Sequence, residues 1–522
     1  MPPTRSQTQA ADVAALLRAR NAVLWVNSPE EVRVELYLAR ACESAGYMPM
    51  FWDCAQGLTD LSGKLVAGQE TQDATEALKF IRAKAKEGGG RTVWVMRDLH
   101  KWLDGPIGIQ TLRQLRNLAR ELPPLGVSII VLAPSGNVPP ELGGGDAVVM
   151  DWPKPDREEI GQVLDRTMKN GGERVEPLNG NRDIAIDAAI GLNSLEAEAA
   201  FAASLVKTRR IDPEMIAAEK KRVIARSGLL TWVEPLPGGL DAVGGLDSMK
   251  GWLMQRTIAY SPEARAYGLA IPKGVLVIGV SGCGKTFSAK ATGTAWRCPI
   301  IRWDMGALRS KYVGESERNI REAQRTVESM GRVVLWIDEM DKAFAGSTGP
   351  QGDGGVASDA LGAMLTWMND RTNQAFIFAT ANDVEALPPE LLRKGRWDEM
   401  FFVDLPTPIE RAQIIEATTR SRGRDPVKLF GADGADEIAS HCDKFTGAEV
   451  ASLIDEAMFT AFADGAREIT PADLIAAAGK VVPLVDSMPE KMQRLRAWSK
   501  RARPATSQEA RTGPTGRVLD LG

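Results

Sequence analysis

The sequence predicts an α/β protein in which a parallel sheet sandwiched by helices occurs twice, the first copy degenerate. Three observations carry this reading. Short apolar runs such as residues 23–26, 275–278 and 333–337 alternate with longer helical stretches, the pattern of buried parallel strands and their crossover helices. A glycine-rich turn, residues 279–286, joins one such strand to one such helix. The strand and turn patterns near the N-terminus return roughly 250 residues later.

The bulk properties narrow the class before any motif is read. A chain of 522 residues holds two to four domains, each with its own core. A net charge of −4 argues against nucleic acid or a membrane surface as the main partner. No apolar stretch approaches the ~18 residues of a membrane helix, and residues 1–15 lack the order of a signal peptide. The five cysteines are scattered and form no ligand pattern, which suits a reducing, cytoplasmic compartment. With only two histidines, His100 and His441, a histidine-based metal site or triad is not expected.

The turn has the form Gly-x-x-x-x-Gly-Lys-Thr, built from Gly279, Ser281, Gly282, Cys283, Gly284, Lys285 and Thr286. Its glycines let backbone N–H groups turn inward onto phosphate oxygens, and the helix beginning near Phe287 adds its positive N-terminal end. Lys285 is placed to reach the β- and γ-phosphates and the Thr286 hydroxyl to ligate Mg²⁺. The chain is therefore expected to bind a nucleoside triphosphate with Mg²⁺. An alkyl group added to Cys283 would crowd those phosphates, so thiol alkylation is expected to block binding.

Residues 332–337 form a second strand ending in Asp338 and Glu339. Asp338 is assigned to the metal, through water, and Glu339 to activation of the attacking water. A third strand, residues 375–381, ends in Asn382, which can hold that water or the γ-phosphate. Arg393 and Arg396 follow, three apart, as cations for a neighbouring subunit's γ-phosphate.

In this order, residues 274–405 resemble the ATPase core of the AAA family. The resemblance implies ATP as the nucleotide and Asp338 and Thr286 as the metal residues. It also implies adenine contacts from Val243 and Gly244, and a helical lid on which Gly447 and Ala448 stand where other families carry an arginine. Lys311, Tyr312, Val313 and Gly314 resemble the central-pore loop of members that thread polypeptides. An aromatic beside an aliphatic residue grips an extended chain without reading its sequence. A glycine-rich stretch, residues 344–355, stands as a second pore loop. The expected assembly is a homohexameric ring acting on a protein substrate that the resemblance does not name.

The first copy keeps the strands and loses the chemistry. Residues 23–26 align with 275–278, 51–58 with 302–308, and the Pro-Pro-Glu-Leu run at 139–142 with 388–391. Residues 27–34 replace the glycine-rich turn, with Pro29 removing a donor and Glu30 and Glu31 placed where phosphates would sit. Arg97 replaces Asp338, and Asp98 replaces Glu339. A silent first module followed by a complete second one resembles the uncharacterised AAA group of chloroplasts and cyanobacteria. The expected boundaries are a degenerate large subdomain at 1–156, its lid at 157–230, the active large subdomain at 231–405 and its lid at 406–485. A basic helix and a loose tail complete the chain at 486–522.

Overall fold

The computed structural model describes residues 3–88, 90–134, 138–172, 176, 178, 182–226, 228, 230–304, 315–344, 362, 364–368, 374–393 and 395–507. They form two compact units, residues 1–220 and 221–522.

The first unit is built on a sheet in the order β3-β2-β4-β5-β1-β6. These strands are β1 (Val23–Asn27), β2 (Met48–Asp53), β3 (Gly57–Thr59), β4 (Thr92–Arg97), β5 (Val127–Ala133) and β6 (Val148–Asp151). All pairings are parallel except that of β3 with β2. Helices α1 (Arg5–Arg18) and α2 (Glu31–Ala45) cover one face, while α3 (Ala74–Glu87) and α4 (Gly105–Glu121) cover the other. The helices α5 (Arg157–Gly171), α6 (Arg182–Ala189), α7 (Ser194–Thr208) and α8 (Pro213–Arg226) follow.

The second unit has the order β13-β12-β8-β11-β10-β9-β7. Its strands are β7 (Leu230–Val233), β8 (Gly274–Gly279), β9 (Ile300–Trp303), β10 (Val333–Ile337), β11 (Ala375–Ala381), β12 (Glu399–Val403) and β13 (Arg503–Pro504). The five parallel strands of the first sheet, β2-β4-β5-β1-β6, follow the same order as β9-β10-β11-β8-β12. On one face lie α9 (Asp247–Arg256) and α11 (Lys285–Ala295), with α10 (Pro262–Tyr267) between them in the chain; on the other lies α12 (Glu315–Ser329). The short α13 (Met340–Phe344) follows β10. The lid helices are α14 (Pro408–Ser421), α15 (Pro426–Phe430), α16 (Gly434–Ser440), α17 (Gly447–Ala463) and α18 (Pro471–Ala478), with their own core around Ile415, Ile438 and Leu453. Capping boxes at Thr407 and Thr446 fix where α14 and α17 begin.

Two sequence expectations are corrected. The alignment of residues 23–26 with 275–278 is off by one. In β1, Leu24 and Val26 face the helix that follows the strand; in β8 the equivalent positions are Val275 and Val277. Both strands are buried on both faces, so neither shows the alternation that would have set the register. The degenerate turn is also shorter than an eight-residue match suggests. Only Ser28, Pro29 and Glu30 connect β1 to α2, whereas residues 280–284 connect β8 to α11, so Arg33 lies inside a helix.

The chain end also differs from expectation. The basic helix α19 (Pro489–Trp498) is present, but the polar residues after it are not loose. Arg503–Pro504 pair with β12 as a parallel edge strand, a position where a proline costs no ladder bond on its solvent side. The Ala505 N–H donates to the Phe402 carbonyl, and the Ala505 carbonyl accepts from Met249 N–H. Thr506 Oγ1 donates to Glu410 at 2.8 Å and Ser507 N–H to Asp247 at 2.8 Å. Residues 503–507 thus strap the sheet edge to α9 and α14.

Candidate nucleotide site

The site is built at the C-terminal ends of β8, β10 and β11. The turn after β8 needs its glycines for space as well as for conformation. A Cβ on Gly279 would lie 1.9 Å from the Val403 carbonyl oxygen, and Gly284, at φ +85°, is the left-handed residue that opens α11. Lys285 is the first residue of that helix and is almost completely buried. Its ammonium donates to the carbonyls of Gly279 at 2.9 Å and Val280 at 2.7 Å. These are bonds within the turn itself, which phosphate oxygens would replace. The Thr286 hydroxyl lies 3.2 Å from Asp338 Oδ1.

β10 ends at Ile337, opposite Ala379, and the next two residues leave the ladder. Glu339 has φ +49°, uncommon for a residue with a side chain. Its carboxylate accepts from Asn382 Nδ2 at 3.3 Å and pairs with Lys342 at 2.7 Å. Asp341 accepts from Asn382 N–H, and burial raises its carboxyl above the usual range. Asp338, Glu339 and Asn382 are therefore brought together beside the turn. Arg393 is exposed, and Arg396 donates to the Leu365 carbonyl at 3.1 Å.

The residues expected at the adenine also converge. Val243 and Gly244 belong to a segment pressed onto α14, where a Cβ on Gly244 would meet the Ile414 backbone nitrogen at 2.6 Å. Gly245 N–H donates to Gln413 and Leu246 N–H to Glu410, each at 2.9 Å. Gly244, Leu246, Cys283, Asp404, Glu410 and Gly447 line one pocket. The lid closes on the turn directly, since Ala448 N–H donates to the Gly282 carbonyl at 2.8 Å. Phe287, in the first turn of α11, is half exposed. Sequence reasoning missed Asp404 and Glu410 because their role comes from packing between elements far apart in the chain. Lys311, Tyr312, Val313 and Gly314, together with residues 345–355 and 508–522, lie outside the described residues.

The turn, Lys285 and the Thr286–Asp338 pair fit a Mg²⁺-bound nucleoside triphosphate. Among the described residues no group of three or more His, Cys, Asp or Glu could hold a metal alone. That donor set suits Mg²⁺, which binds through one or two protein oxygens, water and substrate phosphates.

Burial lowers Lys285 from 10.5 to about 8. The fold favours the neutral amine, so its cost to stability is present below pH 8 and is relieved as pH rises toward 10.5. Phosphate needs the ammonium form. Nucleotide affinity is therefore expected to fall by about twofold from pH 7 to 8 and to weaken by up to about tenfold per pH unit above that, which calorimetric titration checks. Cys283 is buried and its thiol is pushed up to about 11, mainly by burial. Alkylation at this position is thus expected to be slow, so the steric block of binding expected of a modified Cys283 would need the thiol to be uncovered first. Iodoacetamide at pH 8 should label the exposed Cys54 first and leave nucleotide affinity unchanged, as peptide mass mapping would establish.

The equivalent place in the first unit is filled by the protein itself. Glu30 accepts from Ser194 N–H at 2.6 Å and from Arg33 Nη2 at 2.6 Å. Arg33 also donates to Ser6, Glu159 and the Pro153 carbonyl. Ser194 opens α7, as Gly447 opens α17. A buried carboxylate thus takes the N–H that the lid helix offers. At the metal-acid position, Arg97 pairs with Glu35 at 2.5 Å and Asp53 at 3.0 Å. The cation that would otherwise come with nucleotide is covalently part of the chain.

Comparison with known proteins gives matches to both halves of the chain. The family described as "ATPase family associated with various cellular activities (AAA)" matches residues 275–405, and "AAA+ lid domain" matches 435–476. The N-terminal and second domains of "SpoVK-like AAA ATPase" match 9–151 and 158–227. The chain is 31% identical over 492 residues, 94% of each chain, to the "Uncharacterized AAA domain-containing protein ycf46" of Guillardia theta. Its counterpart in Pyropia yezoensis is 32% identical over 499 residues, 94% of this chain and 97% of its own. A "Putative ribosome biogenesis ATPase nvl" of Dictyostelium discoideum is 29% identical over 318 residues, 58% of this chain and 34% of its own.

Proposed function

The chain belongs to the AAA ATPase family, among proteins like the plastid ycf46 product, and from that premise we propose that it hydrolyses ATP as a ring-forming protein remodeller. The observation that carries the hydrolytic part is the meeting of Lys285, Asp338, Glu339 and Asn382 around one glycine-rich turn. Thr286 and, through water, Asp338 would hold Mg²⁺, which when bound neutralises charge on the β- and γ-phosphates. Lys285 would exchange its two carbonyl partners for phosphate oxygens. Glu339 takes the proton of the attacking water while Asn382 holds its carboxylate in place.

The exposure of Arg393 supports the ring. An arginine finger serves a neighbour's nucleotide, which requires a head-to-tail interface that closes. In this reading Tyr312 then moves along a central pore and pulls a polypeptide. The five free cysteines are consistent with action in the cytoplasm. Among the described residues no helix is long and apolar enough to cross a membrane.

The self-filled site of the first unit favours one second reading, an ATP-dependent assembly switch whose silent module binds the partner. Particle mass by light scattering, with and without ATP, tests the ring. A hexamer formed with ATP supports it; a monomer or dimer under every condition sinks it. Tyr312→Ala separates the readings, since a threader loses remodelling and keeps ATPase, whereas a switch keeps its partner function.

A further inference from the structure

Thr380 is a buried residue of β11 with no place in the motif set, two positions before Asn382. Its hydroxyl lies 2.6 Å from Asp338 Oδ1 and 3.0 Å from Glu339 N. The donors are fixed by chemistry. An ionised carboxylate only accepts and a backbone N–H only donates, so the hydroxyl gives its proton to Asp338 and receives that of Glu339. One side-chain oxygen therefore ties together the metal acid and the water-activating acid.

We propose that Thr380 is a positioning residue for ATP hydrolysis, holding the Asp338 carboxylate for the metal and the Glu339 backbone in its left-handed bend. This rests on the ATPase reading above and adds a residue to it.

The first unit supplies an internal control. Asp98 stands where Glu339 stands, has nearly the same backbone angle (φ +52° against +49°), and follows a strand in the same sheet position. There the N–H after the strand donates at 2.9 Å to the backbone carbonyl of Leu132 on β5. The silent copy therefore holds the bend with a main-chain carbonyl, which any residue supplies. The active copy uses a hydroxyl, and only a hydroxyl can also donate to an acid. The bend is common to both copies; the second bond is confined to the copy that keeps Asp338.

A threonine also suits the strand. Its methyl packs like that of valine in a fully buried run, and its restricted χ1 keeps the hydroxyl from wandering. Asp338 Oδ1 receives two hydroxyls, Thr286 and Thr380, and each restrains carboxylate rotation. Residues that orient a metal-binding group are commonly worth about 10- to 100-fold in metal affinity or activity.

The test compares Thr380→Val, which keeps the shape and removes the hydroxyl, with Thr380→Ser, which restores it. Mn²⁺ binding to the complex with a non-hydrolysable ATP analogue, read by electron paramagnetic resonance, reports the metal position without turnover. The expected result is a loss of roughly 10- to 100-fold in Mn²⁺ affinity and in kcat for Thr380→Val, with KM for ATP changed less than about threefold. Thr380→Ser should lie within about threefold of wild type in both. Should the valine variant fail to fold, Thr380→Cys, similar in size and only a weak donor, carries the same expectation. Full Mn²⁺ affinity in the valine variant, or a serine variant no better than valine, overturns the proposal. A wild-type protein that binds Mn²⁺ and analogue yet never turns over would overturn the ATPase reading instead, and the Mn²⁺ comparison would still decide Thr380.

Discussion

Glu339→Gln is expected to lower ATP turnover by roughly two to four orders of magnitude, the usual contribution of a positioned general base, with nucleotide affinity within a few-fold of wild type. Glutamine keeps the volume and can still meet Asn382, now 3.3 Å from the carboxylate. It cannot accept the water proton. Affinity should persist because the groups facing phosphate and metal, namely Lys285, Thr286 and Asp338, are untouched. Phosphate-release kinetics beside analogue binding would separate the two effects. If turnover stayed near wild type, Glu339 would not be the base, and Asp341, buried and raised in pKa, would be the next acid to replace. Any ATP-dependent ring should persist longer in this variant, which makes it the form in which to seek trapped substrate.

Arg33→Ala should be the most damaging single change in the first unit. Glu30 and Glu159 are nearly inaccessible, with side chains 3% and 4% exposed, and Arg33 at 10% is the cation between them. Removing one partner of a buried ionic network leaves charge without compensation, at a typical cost of about 3 to 5 kcal/mol. In a unit of this size that corresponds to a fall of roughly 6–20 °C in melting temperature. Differential scanning calorimetry should show this in one transition, with turnover at the second module within about twofold. An unchanged transition would mean that the first module's lid is held by its apolar contacts rather than by the Glu30–Arg33 pair.

The parts of the molecule legible in the sequence were those whose meaning is local. Gly279 to Thr286 must lie within eight consecutive residues to wrap phosphate, and Asp338, Glu339 and Asn382 declare themselves as polar residues ending apolar runs. The fold followed from the same runs. What was missed depends on distance along the chain or on ambiguous chemistry. Thr380 reads as an ordinary strand former, because a buried strand favours threonine with or without a task for its hydroxyl. The Glu30 network joins the i,i+3 pair Glu30–Arg33 to Ser6, Pro153, Glu159 and Ser194, and no spacing rule reaches those distant positions. The one-residue slip in β1 arose because a strand buried on both faces shows no period. The ordering of residues 503–507 was hidden by a composition that elsewhere marks loops.

The strap at 503–507 bears on how this protein is made. Its hydrogen bonds reach back 260 residues to Asp247 and 96 to Glu410, the carboxylate that also accepts from Leu246 N–H. A ribosome delivers the glycine-rich turn and both acids well before Arg503, and the lid shortly before it. The nascent module can thus collapse around its sheet while the contact between α9 and α14 remains unbraced. A chain interrupted before this strand would carry the glycine-rich turn, both acids and the lid helices and lack the brace between α9 and α14.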